Sequence, residues 1–306
     1  MNYPRISDAE RLKRLEPPTG RVAMVLDTDT YNEVDDQFAL VYALASGDKL
    51  DVRAVYAAPF SNPNSTGPAD GMEKSYDEII RLMSKMGRPT GGVVFRGSTA
   101  YLPGPEILVE SDAARDLVKQ ALSMKNGELL YVTAIGAITN VASAILLEPA
   151  IVDKIVVVWL GGNPISWPTA REFNLMQDVH AARVILDSGV PFVHIPCMGV
   201  ASHLTTTVEE LEKHIGGKNA VCDALVKLFS EYSDDHFAWA KEIWDISTIG
   251  WLIDGSFVPS LLDHTPHLSD DCYWGVDRTR HLMRSATFVS RNAVFRDMFT
   301  KLAALK

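Results

Sequence analysis

Short apolar runs at residues 22–26, 52–58, 93–95, 129–132, 155–160 and 192–195 alternate with amphipathic stretches at 36–45, 73–86, 112–124, 139–147 and 179–187. The runs have strand length and are mostly rich in β-branched or aromatic residues, the pattern of strands covered on both faces. The stretches between them carry apolar residues at helical spacing, which suits helices packed on a sheet. Parallel strands need a crossover connection and a helix supplies it, so this alternation predicts an α/β fold. The expected architecture is an open, mostly parallel, doubly wound sheet of the Rossmann-like kind. From about residue 205 the pattern changes to helices, with 209–214 and 219–240 the clearest, then to a mixed tail over 272–289 where the strand pattern ends. A helical C-terminal third is expected. Pro17-Pro18 divides a short N-terminal helix from the first strand. With no internal repeat, low-complexity segment or Gly/Ser linker, residues 1–306 read as a single domain.

Composition narrows the function classes. At 47% hydrophobic and 22% charged, the chain has the apolar content of a large core, and disorder is excluded. A balance of 29 Lys+Arg against 39 Asp+Glu gives a formal charge of −10, which repels a polyphosphate backbone, so nucleic acid is not an expected partner. The N-terminal stretch of residues 1–18 lacks a continuous apolar core, and no later stretch runs 18 apolar residues without charge, so no membrane association is expected. Cys197, Cys222 and Cys272 are odd in number and show no CxxC spacing. Neither a disulfide framework nor a structural zinc site is indicated, and a reduced, cytoplasmic protein is expected.

In open α/β sheets the functional crevice lies beyond the C-terminal ends of the strands. The residues there are polar: Asp27-Thr28-Asp29 with Asp35-Asp36 after the first run, Ser61-Asn62 after the second, and Gly161-Gly162-Asn163 after the fifth. Asp27, Asp29, Glu33, Asp35 and Asp36 place five carboxylates within ten residues, and facing one cavity they would repel strongly. No Lys or Arg falls between Arg21 and Lys49. A hard divalent cation held by oxygen ligands, calcium or magnesium, is the expected counter-charge. Helix capping would account for Asp35 or Asp36 but hardly for Asp27 and Asp29.

Two enzyme classes place Asp-x-Asp after a first strand. In haloacid-dehalogenase-type phosphatases the first Asp is a phosphoryl-accepting nucleophile and the metal is magnesium. Tyr31 stands where that pattern wants Thr or Val, and no convincing late acidic pair completes a magnesium site. The second class fits better. Asp27–Leu40 (DTD…DDQFAL), Ala134–Ala142 (AIGAITNVA), Gly161-Gly162 followed by Glu172-Phe173-Asn174, and Trp244-Asp245 occur in order, and together the chain resembles the inosine-uridine-preferring nucleoside hydrolases, the nucleoside N-ribohydrolases. The resemblance implies hydrolysis of an N-glycosidic bond by a metal-activated water, with a riboside as small-molecule substrate and Ca2+ as cofactor. It implies that Asp29, Asp36, the backbone carbonyl of Ile135 and Asp245 ligate calcium, that Asp29 takes the proton of the attacking water, and that Asp35 bonds the ribose 2′-hydroxyl. Asp27 is implied to support these ligands from behind. Glu172 and Asn174 are implied to bind ribose hydroxyls and stabilise an oxocarbenium-like transition state. A homo-oligomer, dimer or tetramer, is expected, and a relative that binds ribosides without turnover is the alternative from a different class.

The chain also departs from that pattern. Five residues, Thr30 to Val34, separate Asp29 from the Asp pair where the family usually has three, so the loop cradling the sugar is reshaped. The asparagine expected after the second strand has Asn62 as nearest candidate and Asn64 as next, and Ser166-Trp167 stands where many members have another asparagine. Trp244 replaces the histidine thought in several members to protonate the leaving base. His236, near Trp239 and Trp244, is the remaining candidate acid, whereas His180, His194 and His214 read as structural. Trp167, Trp239 and Trp244 are candidates to stack on a flat base.

Overall fold

The computed structural model describes residues 3–306. Helix α1 (Asp8–Leu15) starts where the Ser7 hydroxyl accepts from the Glu10 amide, and it ends before Pro17-Pro18 as expected. Then follow β1 (Val22–Thr28), α2 (Asp35–Ala45), β2 (Leu50–Ala57), α3 (Pro68–Lys85), β3 (Val94–Arg96), α4 (Asp112–Leu122), β4 (Leu130–Ala134), α5 (Thr139–Leu147), β5 (Ile155–Leu160), α6 (Phe173–Gln177), α7 (Val179–Asp187) and β6 (Phe192–Ile195). All six expected strands and all five expected helices are present. Helix α3 begins five residues earlier than the apolar spacing suggested, because Pro68 at its first position opens it.

The C-terminal third comprises β7 (Thr205–Thr206), α8 (Val208–His214), α9 (Ala220–Ser230), β8 (Lys241–Glu242), α10 (Ile246–Ile253), β9 (Ser260–His264), β10 (His267–Leu268), β11 (Trp274–Gly275), β12 (Leu282–Ala286) and α11 (Arg291–Ala303). The helix expected over 219–240 is a correction: it stops at Ser230. Beyond it, Ser233 and Asp235 bond nearby backbone groups, an alternative to helical bonding that turns the chain into an irregular segment.

The eight-stranded sheet has the order β3-β2-β1-β4-β5-β6-β12-β9. Its neighbours pair in parallel except β12 and β9. The tail thus extends the sheet where the sequence showed no strand. Strand β12 hides its character because it carries Arg284, whose buried guanidinium donates to the Leu15 carbonyl and to Glu16, and β9 exposes Leu261 and Leu262 at the sheet edge.

The sheet is buried on both faces, and side chains alternate between two apolar layers. Met24, Leu26, Val156 and Val158 meet α2 residues such as Phe38, whereas Val25, Val157 and Trp159 meet α5 residues such as Val141 and Ile145. Helices α2 and α5 therefore lie on opposite faces. They follow β1 and β4, the adjacent strands at which the strand order reverses, and a crevice opens where their connections part.

Candidate active site

The crevice is built from the end of β1. Asp27 is the last β1 residue paired with β4, and its carbonyl accepts from the Ile135 amide at 2.9 Å. Asp29 lies just beyond. Its two carboxylate oxygens are buried and have no hydrogen-bond partner among the described residues. It packs on Gly136, where a Cβ would sit 2.7 Å from Asp29 Oδ1, so only glycine fits there. The chain then loops through residues 30–34 into α2, whose cap position is Val34, a side chain that cannot accept a bond. Asp35 and Asp36 occupy the first helical turn, and Thr28 Oγ1 donates to Asp36 Oδ1 at 2.5 Å. Asp245 arrives from the far end of the sequence as the residue before α10. Ligand oxygens of Asp35, Asp36 and Asp245 lie within 4.8 Å of one another, the arrangement of a metal-holding cluster. Asp29 is outside that group.

Burial dominates the electrostatics. It pushes the carboxyls of Asp29, Asp36 and Asp245 well above the usual carboxylate range, and their mutual repulsion with Asp35 pushes the same way. Asp35 is raised to about 6 by burial and then by Glu33, with Lys241 opposing. Asp27 is raised to about 7 by burial, against the donation of Asn140 Nδ2 to its Oδ1 at 2.8 Å. The absence of Lys and Arg between Arg21 and Lys49 did not reveal one cation that comes from far along the chain. Strand β8 brings Lys241 to Glu33, Nζ to Oε2 at 2.5 Å, with the ammonium 4.7 Å from the Tyr232 ring centre. One carboxylate of the five is thereby matched, by a residue too distant in sequence to be foreseen.

The opposite wall comes from β5 and the segment after it. Glu172 caps α6: its Oε1 accepts from the Asn174 amide at 2.9 Å, and its Oε2 from the amides of Gly162 at 2.7 Å and Leu175 at 3.1 Å. Burial raises its carboxyl and these three amides oppose the shift. Asn174 Nδ2 donates to the carbonyls of Ile135 at 3.1 Å and Leu160 at 3.0 Å, tying the ends of β4 and β5 together.

Between the walls is a cavity of about 260 Å³. Asp35, Asp36, Asp245, Ile135, Glu172 and Asn174 line it, so most residues singled out from sequence converge; Trp244 lines it as well. Asp27 and Asp29 are fully buried and are not on its lining. Asn62 does not line it. Asn62 Nδ2 instead donates to Asn32 Oδ1 at 2.6 Å and Asn64 Nδ2 to the Asn32 carbonyl at 2.9 Å, so the pair holds Asn32, which does line the wall. His236 is also absent from the lining; its Nε2 meets the Ser230 carbonyl at 2.9 Å and its ring packs on Trp239. His194 is buried between the Gly161 carbonyl and Ser285, His214 stacks on Phe299, and Trp239 packs on Phe229. Trp167 is largely exposed, beside Gly199.

Sequence reasoning counted Glu33 among the clustered carboxylates but missed Asn32, Arg171, Phe173, Cys197 and Met198 on the lining. Asn32 and Glu33 lie in the lengthened loop, and Cys197 with Met198 follows the end of β6, so the strand-end rule pointed to them.

A search for relatives returns the family described as inosine-uridine preferring nucleoside hydrolase, matched over residues 24–301. The chain belongs to this family. As a nucleoside hydrolase it is an N-glycosyl hydrolase, and the match displaces the phosphatase reading. It is 27% identical over 259 residues to a pyrimidine-specific ribonucleoside hydrolase RihA from Escherichia coli, covering 75% of this chain and 79% of that one. Its fold is similar to that of a purine-preferring ribonucleoside hydrolase from Gardnerella vaginalis, with a TM-score of 0.74 at 18% identity over 92% of this chain and 98% of the other. An inosine-uridine preferring nucleoside hydrolase from Bacillus anthracis gives a TM-score of 0.70 at 15% identity, over 94% and 100%. Among the described residues no helix of this nucleoside hydrolase is long and apolar enough to cross a membrane.

Proposed function

We propose that the protein is a calcium-dependent hydrolase of the N-glycosidic bond of a ribonucleoside or a similar riboside, acting as one domain over residues 1–306. The observation that carries this reading is the convergence of Asp35, Asp36 and Asp245 on the cavity lining, which Ile135 shares, with Asp29 fully buried against Gly136. The residues fit a cation: the donor set is all oxygen, and Asp29 offers two buried oxygens that find no hydrogen-bond donor among the described residues. Such a set suits a hard ion, and the number of carboxylates favours calcium or magnesium over softer metals. Asp29, Asp36, Asp245 and the Ile135 carbonyl would hold it. When bound, the ion supplies the positive charge that lets these carboxylates ionise and lowers the pKa of a coordinated water.

The chain's own groups do the rest. Asp29, ionised, accepts the proton of the attacking water, its position fixed by the close fit against Gly136. Asp35 accepts from the 2′-hydroxyl. Glu172 keeps its charge on the cavity wall through three amide donors, and Asn174 is held by two strand-end carbonyls, so both face an electron-poor sugar from rigid positions. Trp244 offers an apolar surface to the base, and Asp27, held by Asn140, supports the floor. The three cysteines, all free, favour a cytoplasmic setting, and a dimer or tetramer is the proposed assembly, to be read by light scattering.

The test is release of reducing sugar across a riboside panel with and without chelator. Activity that a chelator abolishes and calcium restores supports the reading; activity indifferent to both overturns calcium dependence. Asp36→Asn should lose calcium affinity and turnover together, and unchanged turnover would remove Asp36 from the ligand set.

A further inference from the structure

Asn163 follows Gly161-Gly162 at the end of β5. It is only 4% exposed, yet it lines the cavity. Its surroundings are built. Gly162 before it has φ +76°, and a Cβ there would sit 2.9 Å from Leu175 Cδ1 and 3.1 Å from the Trp274 ring. The Asn163 carbonyl accepts from Trp274 Nε1 at 3.1 Å, and its Nδ2 donates to the Arg171 carbonyl at 2.9 Å. That last contact fixes the amide's orientation, because a flipped amide would set two acceptors against each other. One polar atom is left over: Oδ1, buried and without a partner among the described residues. A buried acceptor left unpaired is costly, and a position held this tightly does not relax to relieve it.

We propose that Asn163 is a substrate-recognition residue whose Oδ1 accepts a hydrogen bond from a hydroxyl of the substrate's sugar. This rests on the riboside-hydrolase reading above. The sugar is favoured over the base because the Asn163 amide is anchored on Arg171, the residue immediately before Glu172-Phe173-Asn174, the segment assigned to the sugar. The same geometry makes the subsite selective. An acceptor accepts only from a donor, so a sugar bearing a phosphate or carboxylate in place of that hydroxyl is rejected.

The experiment compares wild type and Asn163→Ala on a parent riboside, its 2′-, 3′- and 5′-deoxy analogues, and an analogue with the base N–H methylated. The substitution should lower kcat/KM on the parent by about 10–100-fold, and by no more than about twofold on one deoxy analogue, whose missing hydroxyl is the partner. Loss of the Arg171 carbonyl's partner affects every substrate alike and cancels in this comparison. Equal losses on all substrates, or a loss that vanishes only for the methylated base, overturn the proposal. If Asn163→Ala does not fold, Asn163→Ser, which keeps a polar group near the Arg171 carbonyl but is too short to replace Oδ1, carries the same comparison. If wild type releases no sugar from any riboside, the hydrolase reading falls; thermal shifts with the same panel then decide Asn163 separately, by whether the variant's loss of binding vanishes for one deoxy analogue.

Discussion

Glu172 and Asn174 each make two kinds of contact, and the two can be separated by experiment. Glu172 caps α6 through the Asn174 and Leu175 amides, accepts a third bond from the Gly162 amide, and lines the cavity wall. Losing a side-chain cap costs about 1 kcal/mol, which is a small shift in melting temperature for a chain of this size. Contacts that strengthen as positive charge develops on the sugar should cost far more in rate. Truncation of either residue to Ala is therefore expected to lower kcat by about 10²-fold or more while raising KM only a little. A pure rise in KM with full turnover would mean that these side chains serve ground-state binding, and a melting shift without a rate loss would reduce both to structural residues.

At the scale of elements, the early end of α9 bears on the leaving-group acid. On a helix running on to Asp245, His236 and Asp245 would point to opposite faces; α9 does break, at Ser230, yet the His236 ring folds back onto the Ser230 carbonyl and stays off the cavity lining. Among the described residues that line the cavity there is no histidine, and Trp244 carries no proton of suitable acidity. Protonation of a departing base normally contributes ~10²–10⁴-fold. Slow turnover of inosine is therefore expected beside fast turnover of p-nitrophenyl riboside, whose leaving group departs without a proton, and His236→Ala should leave the ratio unchanged. Similar rates on the two substrates, or selective loss of the inosine reaction in His236→Ala, would reveal an acid. The lengthened loop before α2 is the other element-level departure: it adds Asn32 and Glu33 to the wall, with Lys241 from β8 locking Glu33 in place.

For the whole molecule, the buried carboxylates link stability to pH and to metal. Asp27 and Asp35, raised to about 7 and about 6, contribute stability that is present at pH below the ordinary carboxylate range and lost as pH rises through those values. Asp29, Asp36 and Asp245, also raised, act in the same direction. His194 and His281, lowered to about 4 by burial, act oppositely: their stability is present above the ordinary imidazole value and lost as pH falls through about 4. The carboxylates outnumber the histidines, so without metal the protein should melt lower at pH 7.5 than at pH 5. A cation reverses this by favouring the ionised cluster, and stabilisation by calcium should be larger at pH 7.5 than at pH 5. Melting curves in chelator and in millimolar calcium at the two pH values check it; an equal calcium shift at both would separate the ion from these carboxylates.

Periodicity alone determined the alternating strands and helices as far as β6, because strands buried on both faces write themselves as unbroken apolar runs such as Ile155–Leu160. Residue type determined that Asp27–Asp36 needs a counter-charge, since carboxylates repel wherever the chain places them. The strands of the tail were not legible: β9 at the sheet edge is mostly exposed, β12 between β6 and β9 is only partly buried, and Arg284 in β12 breaks the apolar pattern while being satisfied by carbonyl and carboxylate partners from the start of the chain. Nor were the identities of the wall. That Lys241 answers Glu33 across 208 residues, that Asn62 holds Asn32 and does not reach the cavity, and that Asn163 keeps one acceptor free are facts of long-range contact. Local sequence specifies which groups a segment carries, through propensity and spacing, but which groups become partners depends on the packing of distant elements, and that only the tertiary structure decides.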